Sequence, residues 1–373
     1  MAKLSLTELK SWVASYVDAT KISTDSWSAA YETITGMVET LGKIFTIESV
    51  FEDKLAMFQG EFLSYGKAVE EWKNDLIMVS SFDPTGAGAL SPSYLTFRKP
   101  NFSFTLGRVK IKVTIPNDQF ERVVHNEGQY AEIVSAHAKA LNDSQIVYEY
   151  ALKRQLVGVM GDLAYKVDTG NAGVVSTFAT STAYGVGEYV KDSTYKYVVM
   201  VSIPASNTDN LATLEAAGKV VKVFLGSDIA KPVDTTTGEA FIEQLKKDTE
   251  IASDVNEGNS LNGVCLGATR KEGLVLLIRQ GIMPNLEVYT QSGAFHQDKV
   301  AIPTEIIVLP DFGNLDSKVY AILCDKRAVR DFPTYRATRE NMNGDGDFMN
   351  YFRHLEDTAH FSRNTYLHVY YKS

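Results

Sequence analysis

Apolar residues recur at helical spacing in two long stretches of the N-terminal half. Over residues 25–45 they fall at Trp27, Ala30, Tyr31, Ile34, Met37, Val38, Leu41, Ile44 and Phe45, an i, i+3, i+4 stripe that predicts a helix with one buried face. Two readings of that face stand: packing in the subunit's own core, or an arm lying on a neighbour. Ahead of it, Ser5 and Glu8 have capping-box spacing and open a shorter helix over Leu9, Trp12 and Val13. The second stripe, over 129–163, runs through Tyr130, Ile133, Val134, His137, Ala138 and Leu141, then Val147, Tyr150, Ala151, Leu156 and Met160. Asn142 and Asp143 between its halves predict a kink or a change of register, and His137 reads as a packed core histidine.

Period-two alternation marks a different segment. Over 84–117 the β-formers Tyr94, Phe97, Phe102 and Phe104, then Val109, Ile111, Val113 and Ile115, predict two strands with opposite faces, hence a two-stranded arm. Pro84, Gly86, Gly88 and Pro92 supply breakers at its tip. Residues 168–234 turn rich in Gly, Ser, Thr and Val, with short β runs at 188–190 and 196–203, and read as an insertion. From Thr235 onward the pattern is mixed. It predicts a helix over 239–252, a buried strand at 263–267 and a helix opening near Thr269 and stopping at Gly281. Strands are expected at 305–309 and 318–323, then three long β runs at 331–339, 348–355 and 360–371, with a tight turn at 343–346.

Charge changes the picture most in the alternating segment. The 373-residue chain has a formal net charge of -9, yet 84–117 contains no Asp or Glu and carries Arg98, Lys99, Arg108, Lys110 and Lys112. A basic arm on an acidic protein has a partner in another copy of the same protein, which points to an assembling subunit rather than an enzyme. The acidic balance also argues against a dedicated nucleic-acid binder, which shows a basic stripe along its body. The 19 tyrosines suit large interfaces. Cys265 and Cys324 lie in apolar runs and read as small buried hydrophobes. Neither a signal peptide nor a membrane-spanning run is expected.

Familiar catalytic patterns are missing from the sequence. No G-x-S-x-G, Walker loop, H-E-x-x-H or C-x-x-C occurs. Glu70 and Glu71 are adjacent, do not face one another on a helix and read as a solvated face. The acidic run at 341–347 lacks the spacing of a calcium loop and reads as a hairpin turn. His354, His360 and His368 share strand parity, but separations of six and eight match no standard ligand spacing. No catalytic residue, cofactor or metal is expected.

Two resemblances add to this reading. In the insertion, Ala183, Tyr184, Gly187, Val190 and Tyr197 form an A-Y-x-x-G-x-x-V…Y pattern that resembles small β modules attached to carbohydrate-binding and phage proteins. A structural insertion and glycan recognition both remain open. Across the rest, YGKAVEEWKNDL leads into the basic arm, NGVCLGATRKEGLVLLIRQG and IPTEIIVLPDFGNLDSKVYAILCDKRAV come after it, and RHLEDTAHFSRNTYLHVYY closes. That order resembles the tailed-bacteriophage major capsid proteins of the Hong Kong 97 fold, most of all those of short-tailed phages of Gram-positive hosts.

The resemblance implies an α+β chain. Residues 1–60 would be an N-terminal helical arm, 61–124 an extended β-hairpin loop and 125–167 the spine helix of a peripheral domain. Residues 168–234 would be a small β insertion, 235–330 an axial domain and 331–373 further peripheral strands. It implies a shell subunit that meets itself in pentamers and hexamers and encloses double-stranded DNA without reading its sequence. A separate scaffolding protein and a portal protein would be partners, with assembly in the host bacterial cytoplasm and no membrane. Arg98, Lys99, Arg108, Lys110 and Lys112 of the loop, with Trp27, Ile34 and Leu41 of the arm, are the expected inter-subunit contacts. Another virion component, a tail or decoration protein whose insertion binds glycans, is the alternative within this class. A cytosolic enzyme is the alternative outside it.

Overall fold

A computed structural model of the chain describes residues 51–71, 73–74, 84, 97–98, 103–116, 127–265, 269–285, 305–313, 315–343 and 348–373. Trp27, Ile34, Leu41, Lys99 and the turn at 344–346 lie outside the described residues. Chain contacts divide the protein into Met1–Val50 and Phe51–Ser373, and the described residues all belong to the second unit.

The strands in chain order are β1 (Lys73–Asn74), β2 (Phe97–Arg98), β3 (Ser103–Thr105), β4 (Val109–Pro116), β5 (Val175–Thr177), β6 (Tyr189–Lys191), β7 (Lys196–Val199), β8 (Val220–Lys222) and β9 (Gly226–Asp228). They continue as β10 (Asn256–Glu257), β11 (Val264–Cys265), β12 (Leu274–Arg279), β13 (Glu305–Leu309), β14 (Val319–Asp325), β15 (Val329–Asn343), β16 (Phe348–Phe361) and β17 (Leu367–Tyr371). The α-helices of the named elements are α1 (Glu127–Asp168), α2 (Leu211–Ala216) and α3 (Thr235–Ser253).

Helix α1 runs 42 residues, about 63 Å at 1.5 Å per residue, and passes through Asn142 and Asp143 without a break. Its core-facing residues Leu156, Val157, Met160, Ala164 and Val167 are buried. Two glycines set how closely it lies on the sheet. A Cβ on Gly158 would stand 2.0 Å from the Phe312 carbonyl oxygen, and one on Gly161 would stand 2.7 Å from Ile322 Cδ1.

The helix rests on a five-stranded mixed sheet, order β13-β12-β14-β17-β9. Alternate residues of its central strands feed two cores. Val275, Leu277, Ile322, Cys324, Leu367 and Val369 join the core with α1. Leu274, Leu276, Ile278, Tyr320, Leu323 and Tyr370 join a second core with Phe241 and Leu245 of α3. This corrects the helix expected from Thr269 to Gly281. Only a 3-10 turn forms, at Lys271–Gly273, and LVLLIR is a strand. A strand buried on both faces shows no alternation, so its short apolar run cannot be told from helix by periodicity.

The second large sheet pairs β15 with β16 over nearly their whole lengths. On the other side of β16 lie β3 and β4, both antiparallel to it and therefore end to end. This corrects the two-stranded arm. The described hairpin pairing is the short one between β1 and β2, while 103–116 returns along β16 as one interrupted edge strand. The expected run at 360–371 is also divided. β16 stops at Phe361, residues 362–366 turn, and β17 enters the five-stranded sheet between β14 and β9. Residues 331–373 therefore serve two sheets. Within 168–234, β9 pairs with β17 rather than with the β5–β8 sheet.

The insertion forms a four-stranded sheet, order β5-β6-β7-β8, carrying α2. Tyr184, Val190, Tyr197, Val199, Leu211 and Leu214 make its own small core. Its other face is not free. Val175, Tyr189 and Val198 belong to the main core, and the Tyr189 hydroxyl donates to the Leu261 carbonyl at 2.6 Å.

Candidate assembly surface and the joint beneath it

The register of β4, β16 and β15 sorts the basic segment by face. Lys110 stands opposite His354 and Lys112 opposite Phe352, and these stand opposite Ala337 and Arg339 on β15. Directly opposed residues share a face, so Lys110, Lys112 and Arg339 are on one side. Both lysines are exposed, and their ammonium groups lie 6.0 and 5.8 Å from the Phe352 ring centroid. Val109, Ile111 and Val113 take the other side, half-buried. There Arg353 donates to Asn142 Oδ1 of α1 at 2.5 Å. The expected alternation of β4 is therefore the alternation observed.

Arg108 is placed differently from its neighbours. Its guanidinium pairs with Glu356 of the same chain at 3.0 Å and stacks 4.1 Å from the Tyr335 ring centroid. Lys67 pairs with the same carboxylate. The hydrogen bond from Lys67 acts first, burial opposes it, and Arg108 adds to it, so Glu356 stays below its ordinary range. Arg98 lies in β2 opposite Lys73. The segment 61–71 carries exposed Phe62 and Tyr65 beside this ground; Tyr65 is 96% exposed.

Glu71, expected on a solvated face, is an anchor instead. Its carboxylate takes hydrogen bonds from Ser362 Oγ at 2.7 Å and Asn364 Nδ2 at 3.1 Å, and meets His360 Nε2 at 3.2 Å. Burial raises its pKa, but these hydrogen bonds outweigh it and hold the carboxyl below the usual value. The loop base is thereby pinned to the turn after β16.

Beneath the sheet, where β15 and β16 meet α1, sits a buried ionic joint. Arg336 donates to Glu149 Oε1 at 3.0 Å and to Asp357 Oδ1 at 2.5 Å. Lys153, 1% exposed, donates to Asp53 Oδ2 at 2.6 Å. Asp331 is fully buried next to them. Burial, which raises the Tyr148 phenol to about 12 as well, lifts Asp357 above the usual carboxylate value. The sequence reading named none of these residues; the one available signal was the position of Lys153, three residues after Tyr150 on the α1 stripe. Arg336 and Asp357 carried no local signal.

His360 and His368, which share strand parity with His354 in the sequence, lie in different sheets. His360 faces Glu71 from β16, whereas His368 sits in β17 of the other sheet. His368 Nε2 lies 2.9 Å from Ser227 Oγ and 3.5 Å from Asp248 Oδ2. In a serine relay the nucleophile and the acid take opposite ring nitrogens. Here both face one nitrogen, and Asp248 also accepts from the Tyr370 hydroxyl at 2.7 Å, so the cluster ties α3 to the sheet. In the insertion, the patterned residues Tyr184, Val190 and Tyr197 are core. A cleft of about 580 Å³ beside them is lined by Ser176, Thr177, Thr182, Tyr184, Glu188 and Tyr189. Both tyrosine hydroxyls there already have backbone partners.

A family model described as "Phi29-like phage major capsid protein" matches residues 19–371. Among solved structures, the chain is similar to one from the capsid structure of Staphylococcus phage Andhra. The TM-score is 0.57 at 9% identity, covering 88% of this chain and 87% of that one. It is also similar to one from the capsid structure of the Cyanophage P-SCSP1u, with TM-score 0.53, 12% identity, and coverage of 89% and 92%. At these identities the likeness is one of fold. A comparison with curated proteins finds no match.

Proposed function

Because the chain belongs to the Phi29-like phage major capsid protein family, we propose that the cationic outer face of its long sheet is the surface on which one subunit grips the next. The protein is a structural subunit of the phage head and works in the virion among copies of itself. The observation that carries the reading is the family match over 19–371, and the exposed Lys110–Lys112 pair supplies the surface. Residues 84–117 hold five cations and no acid within a chain of net charge -9, so the remainder carries -14 (-9 minus 5). Opposed potentials of that kind guide encounter and register more than they add affinity. Arg98 and Lys99 are further proposed contacts, whereas Arg108, held by Glu356, stiffens the sheet.

On this reading 61–124 is the extended loop, 125–167 the spine, 235–330 the axial domain, and 168–234 an insertion on the outer face. Assembly runs in the bacterial cytoplasm on a separate scaffolding protein and around a portal, enclosing double-stranded DNA without catalysis. Trp27, Ile34 and Leu41, on the apolar stripe of 25–45, are the proposed contacts of that segment with a neighbour.

Reversing Lys110 and Lys112 to Glu is expected to leave the subunit's denaturation midpoint within about 0.5 kcal/mol of wild type, as exposed substitutions do, while electron microscopy finds few closed shells. Ile34→Asp with Leu41→Asp is expected to do the same. Normal shells from the lysine pair would remove the sheet face from the interface. A collapsed midpoint in the helix pair would return that helix to the subunit core. Replacing 171–222 with a Gly/Ser linker is expected to leave a cooperatively folding subunit that still assembles. It should lose about 3 kcal/mol, the scale of emptying large side chains from a core, because Val175, Tyr189 and Val198 leave the main core.

A further inference from the structure

Three elements close over Asp331. Its own backbone carbonyl accepts from Gly60 N at 2.7 Å and Gln59 Nε2 at 3.1 Å, holding segment 53–60 against β15. Its side chain is on the face toward α1. A bulge between Pro333 and Tyr335 brings Arg336 to that same face, and Asp357, opposite Pro333, is its diagonal neighbour on β16. The charges facing this space are Asp53 from segment 53–60, Glu149 and Lys153 from α1 with the phenol of Tyr148, Arg336 from β15 and Asp357 from β16. Arg330 points to the Met57 carbonyl instead.

Four carboxyl groups therefore share two cations. Lys153 is engaged by Asp53, and Arg336 by Glu149 and Asp357. Both oxygens of Asp331 are buried with no hydrogen-bond partner among the described residues, as is Asp357 Oδ2. A carboxylate in that position has no water and only cations already engaged by other acids, and neutralisation by a proton is the common resolution.

We propose that the folded subunit holds a proton at Asp331 and gives it up as the medium turns alkaline, loosening the joint between segment 53–60, α1 and β15. Burial chiefly, then the charge of Asp357, pushes its carboxyl up to about 7 against the pull of Lys153. An unfolded Asp titrates at about 4. Between those values the native state binds the extra proton, so stability is greatest on the acid side and falls as pH rises through the native value. Loss of the proton sets two adjacent buried carboxylates against each other, and the backbone bonds from Gln59 and Gly60 to Asp331 are the nearest to give way.

The test is amide exchange over residues 55–60 of the unassembled subunit between pH 5 and pH 8, corrected for intrinsic rates, in wild type and Asp331→Asn. Wild type is expected to lose protection several-fold across that range. Asp331→Asn, which keeps the shape and removes the charge, is expected to stay protected throughout. Equal losses in both proteins would overturn the proposal. Carbon-13 NMR of aspartate carboxyls, assigned by difference from the variant, gives a second readout that needs only wild type to be folded. A resonance that titrates near neutrality supports the proposal, and one that titrates in the usual carboxylate range overturns it.

Discussion

Gly158→Ala unsettles the subunit although alanine is the better helix former. In an exposed helix the change stabilises by about 1 kcal/mol. At this position the new methyl meets the Phe312 carbonyl oxygen 2.0 Å away, and a backbone atom cannot swing aside. Either α1 rises off the sheet, opening voids around Leu156, Val157 and Met160, or the turn at 311–313 moves with its Arg154–Asp311 contact. Overpacking of this kind costs ~1–3 kcal/mol, and the rigid neighbour places it at the upper end, for a net loss of about 2 kcal/mol. The comparison is Gly161→Ala, where the obstacle is the end of a side chain, Ile322 Cδ1, that can turn away. Chemical denaturation of both variants decides it. A midpoint for Gly158→Ala at or above wild type would mean that α1 does not lie this close to the sheet.

Arg336→Ala is expected to cost more. Arg336 is the one side chain described as bonding both Glu149 of α1 and Asp357 of β16, and Asp357 is fully buried. Removing one partner of a buried ion pair costs about 3–5 kcal/mol, because the other charge remains without water. Here two carboxylates are left beside a third at Asp331. Asp357, whose carboxyl burial already raises, takes up a proton more readily once Arg336 is gone, so the deficit against wild type is largest at pH 8 and shrinks toward pH 5. Urea midpoints at the two pH values read this directly. A deficit independent of pH would assign the loss to the side chain's packing rather than to its charge.

What could be read in the sequence was what local periodicity carries. The stripe of α1 was legible because one face of a helix repeats every three or four residues, and the structure extends it only to 127 and 168. The alternation of Val109, Ile111 and Val113 with Lys110 and Lys112 was legible because β4 has one face toward α1 and one toward solvent. The partner of β4 was not. Thr114 and Asn350 are bonded across 236 positions, and nothing near either announces the other. β12 was misread for the opposite reason, being buried on both faces. Glu71 looked like surface because its partners, His360, Ser362 and Asn364, lie some 290 positions on. The side on which Arg336 lies depends on a bulge, which shifts the parity of everything after Pro333.

The place of β17 has a consequence for how the chain is made. It lies between β14 and β9, bonded to both, so the five-stranded sheet has a gap until residues 367–371 exist. During synthesis, α1 and α3 emerge long before the strand that completes the surface they pack on. Contacts spanning that much sequence form late and slowly, and the waiting apolar faces are the ones prone to aggregate. A chain cut short before Tyr366 leaves β9 without its strand partner and takes Tyr366 and Tyr370 out of the core under α3. The order of synthesis therefore leaves the five-stranded sheet waiting on one strand after the β4-β16-β15 sheet has all of its own.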